Sequence, residues 1–173
     1  MIGTSQAEVG APGLTQLLVA GIGEMVLSRD PRSILVAYGL GSCVALSAWD
    51  PISGAGALAH FMLPGGPVAG SVGGPPVKTI EGGLGIFLDA FVRQGGQLRR
   101  AQFKAAGGAA MLALLSGGLE IGRRNGEALI SGLESRGLRL LARDLGGGAG
   151  RTVQLEVGTG RLLVKSVSTV ATL

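Results

Sequence analysis

The chain has 173 residues, 33 of them glycine, with 3% aromatic and 15% charged. Glycine far above the usual share of roughly 7%, but without a G-X-Y period and with only 7 prolines, excludes collagen, and a 46% apolar fraction excludes a disordered charged tail. The formal charge of +4 is spread thinly, no basic run exceeds two residues (Arg99-Arg100, Arg123-Arg124), and aromatics for base stacking are scarce, so no nucleic-acid partner is expected.

Residues 1–16 are small, polar and without period, and are expected as a flexible N-terminal tail on a single domain spanning 17–173. Leu17–Leu27 reads as a strand interrupted at Gly21 and Gly23, followed by a Ser28-Arg29-Asp30-Pro31 turn and a short strand at Ser33–Val36. After Gly39-Leu40-Gly41-Ser42-Cys43, Val44–Trp49 is a strand or a short helix start. Asp50–Gly54 is a turn, and Ala55–Leu63 a further strand. Pro64–Pro76 is a Gly/Pro-rich loop long enough to suggest function or disorder. Ile80, Leu84, Phe87, Leu88, Phe91 and Val92 recur at helical spacing, predicting an amphipathic helix within Val77–Gln94, although Gly82 and Gly83 weaken it. Leu98–Ala106 reads as a strand, and Gly107–Ser116 as a glycine loop or a closely packed helix. Ile121–Arg136 is a second helix, with Asn125 near its start and Gly137 as its stop. Strands at Leu138–Arg143 and Thr152–Val157 flank Gly146–Gly150, and Gly158-Thr159-Gly160 turns into a last strand, Arg161–Val167. The pattern is two or three helices among about seven strands.

A single cysteine, Cys43, allows no intramolecular disulfide, and no basic segment precedes an apolar run at the N-terminus. A reducing, cytoplasmic setting is therefore expected. Ala105–Leu119 is uncharged but short and glycine-interrupted, and Pro51–Val77 carries five Pro and seven Gly, so no membrane insertion is expected. With one Cys and one His the chain offers no metal set, and it has neither a Gly-Lys phosphate loop nor a full dinucleotide fingerprint, so no cofactor is expected.

The chemistry that remains is Cys43 with His60. A thiolate is the nucleophile that a nearby imidazole makes available at neutral pH, and backbone N–H groups in the glycine turn at Gly41-Ser42 are the raw material of an oxyanion hole. The plain alternative is a small buried cysteine and a satisfied core histidine.

Gly39-Leu40-Gly41-Ser42-Cys43-Val44 followed by Ala59-His60-Phe61-Met62-Leu63-Pro64, with Cys and His 17 residues apart, resembles the signature of the CheD family, the chemoreceptor glutamine deamidases. The likeness extends over about residues 21–167. It takes in Gly23-Glu24, Lys78, Gly107-Gly108-Ala109-Ala110-Met111, Ile121-Gly122-Arg123-Arg124-Asn125, the segment from Asp144 to Arg151, and Gly158-Thr159-Gly160. It implies an α+β domain with β-sandwich-like sheets and two or three flanking helices, similar to cysteine-dependent deamidase toxins. It implies hydrolysis of receptor glutamine side chains without a cofactor, with methyl-accepting chemotaxis receptors as substrate and the phosphatase CheC as a further partner.

The resemblance also implies a Cys–His–Thr triad, with Cys43 as nucleophile and His60 as base, but the Thr position holds Ala37. Alanine has no side-chain donor or acceptor. Either another hydroxyl (Ser33, Ser42 or Tyr38) orients the imidazole, or a backbone carbonyl does, or activity is reduced or lost; retained but slower activity is the expectation. The rival is a non-catalytic or weakly catalytic adaptor that binds CheC and receptors. A poised Cys43 is expected to alkylate fast at neutral pH, with a thiol pKa below about 8.5.

Overall fold

The computed structural model describes residues 15–65, 76–110 and 118–173. Among these described residues, ten strands form two five-stranded mixed sheets. The first has the order β1 (Gln16–Val19), β3 (Ser33–Leu40), β8 (Arg151–Glu156), β9 (Leu162–Lys165), β10 (Val170–Thr172). The second has the order β2 (Met25–Ser28), β5 (Gly56–Phe61), β4 (Val44–Trp49), β6 (Gln102–Gly107), β7 (Leu140–Leu145). All neighbours are antiparallel except β1 with β3 and β6 with β7.

Alternation along β4, β5 and β6 separates two cores, because successive strand residues point to opposite faces. Ala45, Leu58 and Ala106 join Leu35, Ala37, Leu40, Val153, Leu155, Leu162 and Val164 in a cluster between the two sheets. Val44, Leu46, Ala59, Phe61, Phe103 and Ala105 face the other way, onto helices α1 (Ile80–Arg93) and α2 (Gly118–Glu134). The layers are sheet, sheet, helices. Alanines occupy strand positions on both faces, and the four phenylalanines lie on the helix side. Phe61, Phe87, Phe91 and Phe103 are fully buried there, in edge-on pairs 6.5 Å apart, each contributing about 1.5–3 kcal/mol by burial.

Helix α1 forms despite Gly82 and Gly83. The Thr79 hydroxyl caps it by accepting from the Gly82 N–H at 3.3 Å, Glu81 and Arg93 complement its dipole, and its buried stripe is Ile80, Leu84, Phe87, Leu88 and Phe91. Gly83 gives the helix its approach: a Cβ there would lie 2.6 Å from the Val77 Cα.

Several expectations change. Leu17–Leu27 is two strands in different sheets, because the chain crosses between sheets at Gly21–Glu24. The strand begun at Ser33 runs on to Leu40 through an irregularity between Ala37 and Leu40. Val44–Trp49 is a strand. The Gly146–Gly150 run links strands of opposite sheets, and α2 begins before Ile121, so Asn125 lies well inside it. Strand β10 has three exposed residues and left no apolar signal. Gln16, assigned to the tail, opens β1. The rest of the expected tail up to residue 14, residues 66–75 of the Pro64–Pro76 loop, and residues 111–117 lie outside the described residues.

Candidate active site

The pairing of β4 with β5 places His60 on the strand beside the one that Cys43 precedes. Val44 pairs with Phe61 and Ala45 with His60, and Cys43 stands immediately before β4. His60 is paired with Ala45, and Ala45 and Cys43 both belong to or pack against the inter-sheet core. Cys43 is half-buried and packs against that core.

His60 is 2% exposed. Its Nδ1 lies 3.3 Å from the Ala20 carbonyl oxygen. A carbonyl only accepts, so Nδ1 carries a proton and Nε2 holds the free lone pair in the neutral ring. Ala20 reaches this position because β1 runs parallel to β3 and its N–H donates to the Val36 carbonyl at 2.8 Å, directly beside Ala37. The carbonyl that meets the imidazole thus comes from the neighbour of the position where the family resemblance calls for threonine. Ala37 itself is fully buried in the inter-sheet cluster. None of the three hydroxyl candidates bonds the ring: Ser33 is engaged with the Ser28 hydroxyl at 2.8 Å, Tyr38 is exposed, and the Ser42 side chain makes no bond to it.

Burial pushes the His60 imidazole below its usual pKa, against the opposing effect of the Ala20 carbonyl. Burial likewise pushes the Cys43 thiol up, partly offset by its own backbone N–H. This works against the low thiol pKa expected of a poised nucleophile. Burial therefore favours the neutral thiol and the neutral imidazole.

The loop that presents Cys43 is tied down at three consecutive carbonyls. Gly41 accepts from the Ala109 N–H at 2.7 Å, Ser42 from the Asn125 side-chain amide at 2.8 Å, and Cys43 from the Gly108 N–H at 2.7 Å. These contacts need bare backbone. A Cβ on Gly107, whose φ is +117°, would sit 2.3 Å from the Cys43 carbonyl oxygen, and one on Gly122 would sit 2.5 Å from that of Gly108. Glycines at these two positions let α2 and the 107–110 turn close on the cysteine loop.

Asn125 is the site residue that sequence reasoning left without a role. It is fully buried, and its Nδ2 also donates to the Met62 carbonyl at 3.0 Å. The signal was available: Asn125, Leu129 and Leu133 form one buried stripe at helical spacing, headed by a polar residue. Among the described residues, the buried side-chain polar atoms without a hydrogen-bond partner are His60 Nε2 and Asn125 Oδ1, and both lie at this site.

Among the described residues no group of three or more His, Cys, Asp or Glu is placed to hold a metal ion, and no helix is long and apolar enough to cross a membrane.

The family described as CheD chemotactic sensory transduction matches residues 62–166 of this chain. The chain is 42% identical over 154 residues to a probable chemoreceptor glutamine deamidase CheD of Symbiobacterium thermophilum, covering 88% of this chain and 93% of that protein. It is 39% identical over 149 residues to the chemoreceptor glutamine deamidase CheD of Thermotoga maritima (86% and 91%), and 36% identical over 149 residues to a probable one of Thermococcus kodakarensis (86% and 91%).

Proposed function

This chain belongs to the CheD family, and from that premise we propose that it is a chemoreceptor glutamine deamidase whose nucleophile is Cys43 and whose base is His60. The observation that carries the assignment of residues is the His60 imidazole. Its Nδ1 is committed to the Ala20 carbonyl, and its Nε2 is buried and unpartnered, on the strand paired with the one that Cys43 precedes.

Because both groups rest neutral, the thiolate forms during the reaction. His60 Nε2 takes the Cys43 proton as sulfur attacks the glutamine amide carbon, and the N–H groups of Ser42 and Cys43, beside Gly41, hold the oxyanion. The imidazolium returns the proton to the departing nitrogen, releasing ammonia and leaving a thioester. Water, deprotonated at Nε2, attacks the thioester carbon, the C–S bond breaks, sulfur recovers the proton, and the product is glutamate. The imidazolium exists only between these transfers, when the Ala20 carbonyl on Nδ1 stabilises its charge.

The substrate is glutamine on exposed cytoplasmic helices of methyl-accepting chemotaxis receptors, and a basic surface suits acidic helices in the encounter. The reading includes a sheet arrangement akin to the cysteine-dependent deamidase toxins, which superposition on a solved toxin tests. It also includes binding to the phosphatase CheC, measured with purified CheC. The adaptor alternative drew its support from Ala37. The Ala20 carbonyl weakens that support, because the imidazole has an acceptor without threonine.

The test is mass spectrometry of a receptor fragment, which gains about 1 Da per glutamine converted to glutamate, together with ammonia release. The parent chain converts the fragment and Cys43→Ala does not, while its melting temperature stays within a few degrees. Undiminished conversion by the folded Cys43→Ala protein rejects the mechanism.

A further inference from the structure

We propose that Asn125 is a positioning residue for this reaction, setting the direction of the Cys43 N–H through the peptide plane that joins Ser42 to Cys43. The proposal rests on Cys43 being the nucleophile.

The Ser42 carbonyl and the Cys43 N–H belong to one peptide unit, and every peptide bond described here is trans. In a trans unit the two groups point in opposite directions. The Asn125 amide grips the carbonyl end at 2.8 Å from the α2 side. The N–H end is therefore turned away from α2, on the opposite side of the peptide from the Asn125 amide. A donor beside the attacking sulfur is placed to meet the oxygen of the amide under attack.

Two features make the grip specific. First, Asn125 bridges two segments, since the second Nδ2 hydrogen goes to the Met62 carbonyl at 3.0 Å. Met62 continues β5 two residues past His60, so one buried amide fixes the nucleophile loop against the strand that carries the base. Second, the amide cannot flip. Rotation would set Oδ1 against two carbonyl oxygens, so Nδ2 must face them, even though Oδ1 is then left buried and unpartnered. The neighbouring carbonyls of Gly41 and Cys43 are held by backbone N–H groups of the 107–110 turn. The peptide that presents the Cys43 N–H is the one in this loop held by a side chain, and so the one that a substitution can release.

The experiment compares Asn125→Ala, Asn125→Ser and Cys43→Ala in the full chain acting on a receptor fragment, with rates expressed per mole of folded protein. Removing an oxyanion donor outright lowers kcat by about 10²–10³, and freeing its peptide plane should lower it less. Asn125→Ala is expected to reduce kcat about ten- to a hundredfold while KM for the fragment stays within threefold and both limbs of the pH profile stay in place. Asn125→Ser keeps one donor, is expected to fall between Ala and parent, and serves as the measured variant if Ala does not fold. A kcat within twofold of the parent, a loss confined to KM, or a displaced pH limb overturns the proposal. Cys43→Ala separates the two ideas: if it stays active, the nucleophile assignment fails, whereas if it is inactive and Asn125→Ala is fully active, the positioning role alone fails.

Discussion

The two ends of strand β4 are roughly 17 Å apart and solve the problem of buried polar groups in opposite ways. At the Trp49 end, Asp50 is fully buried and saturated. It accepts from the Arg100 Nε at 2.7 Å and from the N–H groups of Ile52 at 2.9 Å, Gln97 at 3.0 Å and Ser53 at 3.4 Å. Burial alone would raise its pKa, but these donors outweigh it and hold the carboxyl far below the usual range. Nearby, the Trp49 indole donates to the Val157 carbonyl at 2.7 Å, and the Lys104 ammonium to the carbonyls of Gly160 and Leu173, both at 2.8 Å. At the Val44 end, Cys43 and His60 rest uncharged, and His60 Nε2 and Asn125 Oδ1 have no partner. One end satisfies every buried polar group and serves the fold. The other leaves acceptors open and relies on bare backbone contacts, as a reacting centre must if a substrate is to complete it.

The sharpest way to break the contrast is to put a side chain where the site end tolerates none. Gly107→Ala forces a Cβ to 2.3 Å from the Cys43 carbonyl oxygen at a φ of +117°. It is expected to destabilise the protein by about 3 kcal/mol or more and to remove deamidation even in the fraction that folds. Urea unfolding and ammonia release measure the two effects. Wild-type activity in a folded Gly107→Ala protein would mean that the cysteine loop does not need this close approach.

The complementary change belongs to the far end. Asp50→Asn keeps the shape but takes the charge from the Arg100 guanidinium and three N–H donors, for an expected loss of about 2–3 kcal/mol. Conversion per folded molecule should stay within twofold of the parent. The deficit also has a pH signature. A carboxylate whose folded pKa is depressed contributes fully above its unfolded value near 3.8 and loses that contribution as the pH falls toward the folded value. Parent and variant should therefore differ in melting temperature at neutral pH and converge as the solution is acidified below pH 3.8. A gap unchanged by acid would show that shape, not charge, is what the knot supplies.

The same contrast explains what the sequence alone could and could not say. Cys43 and His60 were legible because the chain has one of each, and the turn at Asp50–Gly54 separates the two segments that carry them, which pair as antiparallel strands. The helix over Ile80–Arg93 was legible from its period. The roles of Ala20, Gly107, Gly122 and Asn125 were not. Each acts through a backbone group or a contact between segments 14 to 83 residues apart, and side-chain chemistry at fixed spacing carries no record of such contacts. Burial was equally hidden: spacing suggested an activated thiolate, whereas desolvation gives a neutral pair.

That neutral pair yields a milder prediction. With His60 pushed below its ordinary value near 6.5 and Cys43 pushed above its ordinary 9.0, kcat/KM should hold a wide plateau. Protonation of Nε2 ends it on the acid side below pH 6.5, and ionisation of the thiol ends it on the alkaline side above pH 9.0. A rate profile across this range checks both limbs. An acid limb above pH 6.5 would mean that a nearby negative charge, not burial, governs the imidazole.

The smallest effect is expected where the family resemblance suggested the largest. Ala37→Thr restores the hydroxyl implied for the triad, yet Nδ1 of His60 already donates to the Ala20 carbonyl at 3.3 Å, and a ring nitrogen with one proton can serve only one such acceptor well. The new hydroxyl must compete with that carbonyl in a fully buried position of the inter-sheet core, where two added heavy atoms destabilise by about 1–3 kcal/mol. The kcat of Ala37→Thr should therefore lie within threefold of the parent, with a lower melting temperature and an unmoved acid limb. A tenfold gain would show that the carbonyl orients the imidazole poorly and that the parent chain works below the capacity of its own cysteine.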